Sequence, residues 1–138
     1  MREENLLLAN LPDAERRKLD PYLREDVLEF QQVLIEPNQP ITTMYFPYDA
    51  ITSTIQEMSD GDSVETGLMG IEGFVGVQLW LHAPTTPTRT LVQVPGKSAC
   101  DEGHRFPAAP PRHRLTFECP LREIRARVSR DDLADCRV

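Results

Sequence analysis

"YFPYDAITSTIQEMSDGDSVETGLMGIEGFVG", residues Tyr45 to Gly76, decides the fold of this 138-residue chain. With the "ITTM" before it, the opening reads as a strand rich in β-branched and aromatic residues. Pro47 and Asp49 mark a turn, and "AITSTIQEM" follows as a second strand with Ile51 and Ile55 as expected core residues. Asp60-Gly61 then falls between two strand-like runs, the strongest short hairpin signal in the chain. "SVETGLMG" is the return strand. Three glycines (Gly70, Gly73, Gly76) fall within seven residues from its end, with Glu72 among them. Such spacing lets a backbone approach something closely.

Working outward, "NLLLANLPDAERRKLDPYL" reads as two short helices, with Leu6, Leu7, Leu11, Leu19 and Leu23 near helical spacing. Asp13 is the expected N-cap of the second helix, and Pro21 limits it. "EDVLEFQQVLIE" changes period and suits two short strands, with Glu36 to Pro40 as the following turn. Beyond the glycines, "LHAPTTPT" is a loop, with Thr85, Thr86 and Thr88 as loop residues, and "RTLVQV" is a further strand closed by Pro95-Gly96. Short antiparallel strands after a helical start predict a mainly β fold with flanking short helices, an antiparallel β-roll or jelly roll.

Composition narrows the function. The formal net charge is −7, so the chain is a poor nucleic-acid binder unless its positive charge gathers on one face. No apolar run approaches the ~18 residues of a membrane span, and the start does not read as a secretory signal. The expected location is the cytoplasm. Residues 1–98 carry 7 Lys and Arg against 15 Asp and Glu, whereas residues 99–138 carry 8 Arg against 7 acids. Cys100, Cys119 and Cys136, with His104 and His113, all lie in the second part. We therefore expect a β-roll over 1–98 and a separate tail over 99–138, whose cysteines read as reduced thiols.

The order of elements over about residues 5–98 resembles the effector domains of the Crp/Fnr superfamily of bacterial transcription regulators. The resemblance is carried by "LP" then "ER", "EPNQP" before a strand, "YFP", "DG" followed by "VE", the G-x-x-G-x-E-G run of Gly67 to Gly73, and "VPGKS". It implies a helix-flanked β-roll, normally followed by a long dimerisation helix and a DNA-binding winged helix-turn-helix. It further implies a phosphate-binding cassette, in which free N–H groups at a helix start hold an anionic phosphate and an Arg neutralises it.

By that resemblance Gly73, Phe74, Val75 and Gly76 match the start of the cassette, and Arg89 and Thr90 fall where the phosphate Arg and its hydroxyl neighbour lie. The residue after Gly76 is Val77, where cyclic-nucleotide-binding members place a Glu that holds the ribose hydroxyl. An isopropyl group accepts no hydrogen bond, which costs such a ligand ~1–3 kcal/mol. The cassette is thus expected to be altered and cyclic AMP binding degenerate, with an anionic small-molecule effector left open. Plainer readings stand beside these. The glycines serve turns and close packing, Arg89 is an edge-strand charge, Glu72 is a capping or exposed carboxylate, and Phe74 and Trp80 are core.

After "VPGKSA" the pattern stops. Pro107, Pro110, Pro111 and Pro120 prevent a long helix there. Asp101 to Phe106 can be encoded so that the frame one base later reads Met-Lys-Ala-Ile-Asp-Phe, which suits the expected strand-to-helix passage. We therefore expect a change of reading frame near Ser98–Asp101. The alternative is a genuine divergent tail with a short amphipathic helix over 121–136. Either way this chain alone is expected not to bind DNA, and to be a monomer or a weak edge-mediated homodimer.

A second reading is a small metal-binding or cupin-like β-roll protein. Cys100, His104, His113 and Cys119 are ligand types in order, but C-x3-H-x8-H-x5-C is not a common zinc spacing. Catalysis is not expected, because no nucleophile–base arrangement is visible and Glu65 with Glu72 has no evident partner. No metal or resident cofactor is expected.

Overall fold

The computed structural model describes residues 4–80 and 83–102, without the side chain of Trp80. These residues belong to one compact unit, Met1–Arg105. Two short helices, α1 (Leu6–Ala9) and α2 (Asp13–Leu19), lead through a 3-10 turn at Asp20–Tyr22 into seven strands. The strands are β1 (Arg24–Leu28), β2 (Val33–Ile35), β3 (Thr43–Pro47), β4 (Ile51–Glu57), β5 (Ser63–Met69), β6 (Arg89–Val94) and β7 (Gly96–Glu102). A four-residue helix, α3 (Val77–Trp80), lies between β5 and β6.

The strands form two antiparallel sheets, ordered β1-β7-β3 and β2-β6-β4-β5. This is the mainly β antiparallel roll expected from the sequence. The hairpin at Asp60-Gly61 is present. Gly61 adopts φ 93°, Met58 N–H donates to the Asp62 carbonyl at 2.7 Å, and the Asp60 carboxylate accepts from Asp62 N–H at 3.0 Å.

The core lies on the inner faces of the sheets. Leu28, Ala50 and Val92 make one buried cluster, with Leu34 and Tyr45 against it. Ile35, Ile41 and Val75 make another, with Tyr45, Met69 and Leu79. Tyr45 touches both, so β3 joins the two clusters.

Several local expectations are corrected. Pro12, not Asp13, holds the N-cap of α2, and Asp13 is its first helical residue, where a carboxylate still favours the helix dipole. Ile51 is exposed, and the buried residues of β4 are Thr52 and Ser53. An irregularity between Ile51 and Thr52 shifts the register against β6 and sets Ile51 opposite the exposed Val94. Leu6 is exposed, and the buried positions of the helical start are Leu8, Leu11 and Leu19. Cys100 is not a tail thiol but a buried residue of β7. The change in composition at Ser98 falls inside β7, whose pairing with β3 holds to Glu102. The segment 121–136, His82 and the side chain of Trp80 lie outside the described residues.

Candidate functional site

The glycine-rich segment leaves β5 and is fastened to the roll from both sides. On one side Tyr45 and Val75 form an isolated antiparallel bridge, exchanging N–H···O bonds of 3.0 and 2.8 Å. On the other the buried Asn5 donates to the carbonyls of Gly73 at 2.7 Å and Pro47 at 2.9 Å. Leu6 N–H also donates to the Ile71 carbonyl at 2.8 Å. Glu72, exposed, turns back to accept from Gly70 N–H at 3.1 Å, a local capping role.

Gly76 ends the segment with φ 101°, and a Cβ there would stand 3.0 Å from the Thr43 carbonyl oxygen. Only glycine fits that conformation and that approach. Leu79 N–H then closes onto the Gly76 carbonyl at 3.0 Å as α3 begins.

The side chains of this segment serve the core. Phe74 stacks on Phe46 with centroids 5.4 Å apart and planes at 18°. Such a pair is worth ~0.5–1.5 kcal/mol beyond its burial. Val75 packs with Ile35 and Ile41. The backbone is largely engaged as well, with Gly73 N–H on the Gly70 carbonyl at 3.2 Å and the carbonyls of Gly73 and Gly76 and both polar groups of Val75 bonded within the protein. Val77 follows at the start of α3, half-buried, as a hydrocarbon.

Arg89 and Thr90 open β6, an interior strand flanked by β2 and β4, so Arg89 is not an edge-strand charge. Successive strand residues face opposite sides of a sheet. Thr90 is buried against the core, paired with Ile35 and Thr54, and its hydroxyl lies 3.2 Å from that of Thr54. Arg89 stands on the other side, 3.2 Å from the Glu57 carboxylate and 3.5 Å from that of Glu36. Among the described residues no hydrogen bond or ion pair links Arg89 to Gly73–Val77. Gly73, Phe74, Val75, Gly76 and Val77 run consecutively into α3, and Thr90 pairs with Ile35, which packs against Val75. It turns Arg89 toward two carboxylates.

Sequence reasoning missed Asn5, Tyr45, Glu36, Glu57 and Thr86. Thr86, expected as a plain loop residue, is buried, and its carbonyl accepts from Asn38 N–H at 2.7 Å. Together with Ile41 N–H on the Pro84 carbonyl at 2.8 Å, this ties the loop before β6 to the turn after β2. Burial raises the Tyr45 hydroxyl above its usual range and pushes the Cys100 thiol up to about 11. Among the described residues no three of His, Cys, Asp and Glu gather as a metal would need. Of the sequence-expected set, Cys100 lies in β7, and His104, His113 and Cys119 lie outside the described residues.

No family model and no curated protein matches the chain. Solved structures do. The N-terminal domain of a transcriptional regulator from Streptomyces coelicolor aligns at TM-score 0.69 and 16% identity, over 96% of this chain and 92% of that one. The chain has the cyclic-nucleotide-binding-domain fold. That fold is shared with the regulatory subunit of a cAMP-independent protein kinase A from Trypanosoma brucei, in a mutant bound to cAMP in the A site (TM-score 0.69, 15% identity, 86% of this chain and 43% of that one). It is shared also with the c-di-GMP responsive global regulator CLP of Xanthomonas campestris (TM-score 0.58, 17% identity, 85% and 54%). The chain spans less than half the length of the kinase regulatory subunits it matches. Among the described residues no helix of this domain is long and apolar enough to cross a membrane.

Proposed function

We propose that this cyclic-nucleotide-binding-like domain is the non-enzymatic effector-sensing part of a Crp/Fnr-type regulator, with an altered phosphate cassette. The observation that carries the reading is the Gly73–Gly76 seat, clamped by the Tyr45–Val75 bridge and followed directly by Val77. The backbone of a ligand seat is kept and the side-chain acceptor is replaced. A partner small molecule fits this better than catalysis, because the side chains of Gly73 to Val77 are apolar. The neighbours are themselves regulatory domains, which favours the same view.

Loss of a ribose acceptor costs ~1–3 kcal/mol, or roughly tenfold to a hundredfold in affinity. The full chain titrated calorimetrically with cyclic AMP, cyclic GMP and cyclic di-GMP should therefore bind cyclic AMP weakly at best. Tight, stoichiometric uptake of cyclic AMP contradicts the reading.

The finer expectations belong to the same proposal. The chain acts in the cytoplasm, is a monomer or weak homodimer, and does not bind DNA alone. Residues 99–138 follow from a change of reading frame near Ser98–Asp101. Sequencing the encoding DNA tests this last point, since an uninterrupted helix-turn-helix in the neighbouring frame supports it and its absence ends it.

A further inference from the structure

Strand β4 is the regular strand of the four-stranded sheet. The irregularities beside it leave Thr66 of β5 and Gln93 of β6 as extra residues, so the alternation of β4 itself holds. Thr52 and Thr54 pair with Val92 and Thr90, both buried, and so face the core. Ile51, Ser53, Ile55 and Glu57 therefore face outward.

Their paired neighbours share that outer face. One row crosses all four strands as Val33, Leu91, Ser53 and Leu68. Val94 and Ile51 form the row on one side of it, and Arg89, Ile55 and Glu65 the row on the other. The solvated face of an antiparallel sheet is ordinarily polar. Here Leu68 is 56% exposed, Val94 42%, Val33 39% and Ile51 37%, with Leu91 and Ile55 half-buried among them. A contiguous apolar patch of this kind marks an association surface.

The charges identify the partner. The first two rows hold none. The charged groups stand at one margin and are satisfied within the chain. Arg89 pairs with Glu36 and Glu57, and Glu65 accepts from the Ser53 hydroxyl at 2.5 Å. The patch needs hydrocarbon opposite it and no counter-charge, and the same face of a second copy supplies that. A two-fold axis running across the strands between the two uncharged rows stacks one on the other. It leaves the charged margins of the two copies at opposite ends. The sheet edges offer less. β2 has three residues, β1 opens on Arg24, Glu25 and Asp26, Val75 bridges to β3 at Tyr45, and the extra Thr66 disturbs β5.

We propose that the outer face of β2-β6-β4-β5 is a self-association surface, through which two copies of this chain pack sheet on sheet around Val33, Leu68, Ile51 and Val94. This surface goes beyond the effector reading and does not depend on it. Six partly exposed aliphatic side chains fall well short of the ~800 Å² per partner that a stable complex buries, so the dimer is weak.

Sedimentation equilibrium of the full chain over a concentration series tests the surface. The mass should rise toward that of a dimer with a dissociation constant of roughly 0.1–1 mM. Added salt should strengthen association, because it screens the repulsion between two chains of net charge −7 and breaks no ion pair between them. Leu68→Glu and Val33→Glu should each weaken association at least ~10-fold. Val27→Glu adds the same charge at an exposed residue of the other sheet and should leave association nearly unchanged. Thermal melting checks that each variant is folded, and either substitution in the row suffices. A wild type that stays monomeric throughout the series overturns the inference. So does association that salt weakens, or that the folded Leu68→Glu or Val33→Glu variant leaves intact. None of these outcomes turns on whether a nucleotide binds, so this surface and the effector reading stand or fall separately.

Discussion

The side-chain amide of Asn5 donates to the Gly73 carbonyl at 2.7 Å, across 68 positions of sequence. The same nitrogen serves Pro47, and the side-chain oxygen accepts from Leu7 N–H at 3.0 Å as the cap of α1. One fully buried residue thus binds α1, β3 and the glycine-rich segment together. Asn5→Asp keeps the acceptor of the cap and removes both donors. We expect it to destabilise the fold by ~1–3 kcal/mol or more, because two buried carbonyls lose their partner and face a carboxylate. Asn5→Ala should also destabilise. Urea denaturation of the full chain measures both, and a change within experimental error contradicts the clamp.

Two glycines of the same region should respond oppositely to alanine. Gly76 has φ 101° and a backbone carbonyl oxygen 3.0 Å from its missing Cβ, so Gly76→Ala should cost ~1–3 kcal/mol through backbone strain. Gly67 sits in β5 with nothing within 4 Å of a Cβ. Gly67→Ala should be neutral or stabilising by up to ~1 kcal/mol, since the unfolded chain loses freedom. Equal effects of the two substitutions would show that the seat does not depend on the conformation at Gly76.

Alkaline pH should loosen the fold through Cys100. Desolvation by burial comes first among the causes that raise this thiol, with the nearby Asp26 adding to it, and they carry it from 9.0 to about 11. The folded state favours the protonated form, and the unfolded chain ionises first. The contribution is therefore complete below about pH 9 and falls as pH rises toward about 11. Tyr45 and Tyr48, both raised by burial, act in the same direction. The urea midpoint should drop across that window, less steeply in Cys100→Ala. A midpoint that is flat with pH contradicts the burial of the thiol.

Much of this was legible in the residues themselves, and the rest was not for definite reasons. The Asp60-Gly61 hairpin, the strand ending at Pro47 and the turn at Glu36 to Pro40 are local, and local chemistry reads well. The assignment of Gly73 to Val77 rests on the family resemblance, and the structure adds the positive φ of Gly76 and its close approach to the Thr43 carbonyl. Asn5 caps α1, but its second role depends on residues far along the chain that no local pattern shows. The pairing of Arg89 with Glu36 and Glu57 is likewise non-local, fixed by the order β2-β6-β4. Ile51 misled because a register irregularity beside it breaks the alternation that sequence patterns assume. Composition places Cys100 in a tail, but composition does not see that β7 fills the middle of its sheet.

The proposed replacement of a ribose acceptor by Val77 has the 2′-hydroxyl as its direct probe. Calorimetry with cyclic AMP and its 2′-deoxy analogue, on the wild type and on Val77→Glu, measures that contact alone. The account predicts that the wild type treats the two ligands alike, and that the variant prefers the hydroxylated one by roughly tenfold to a hundredfold. A wild-type chain that binds cyclic AMP tightly and discriminates strongly for the 2′-hydroxyl would contradict it.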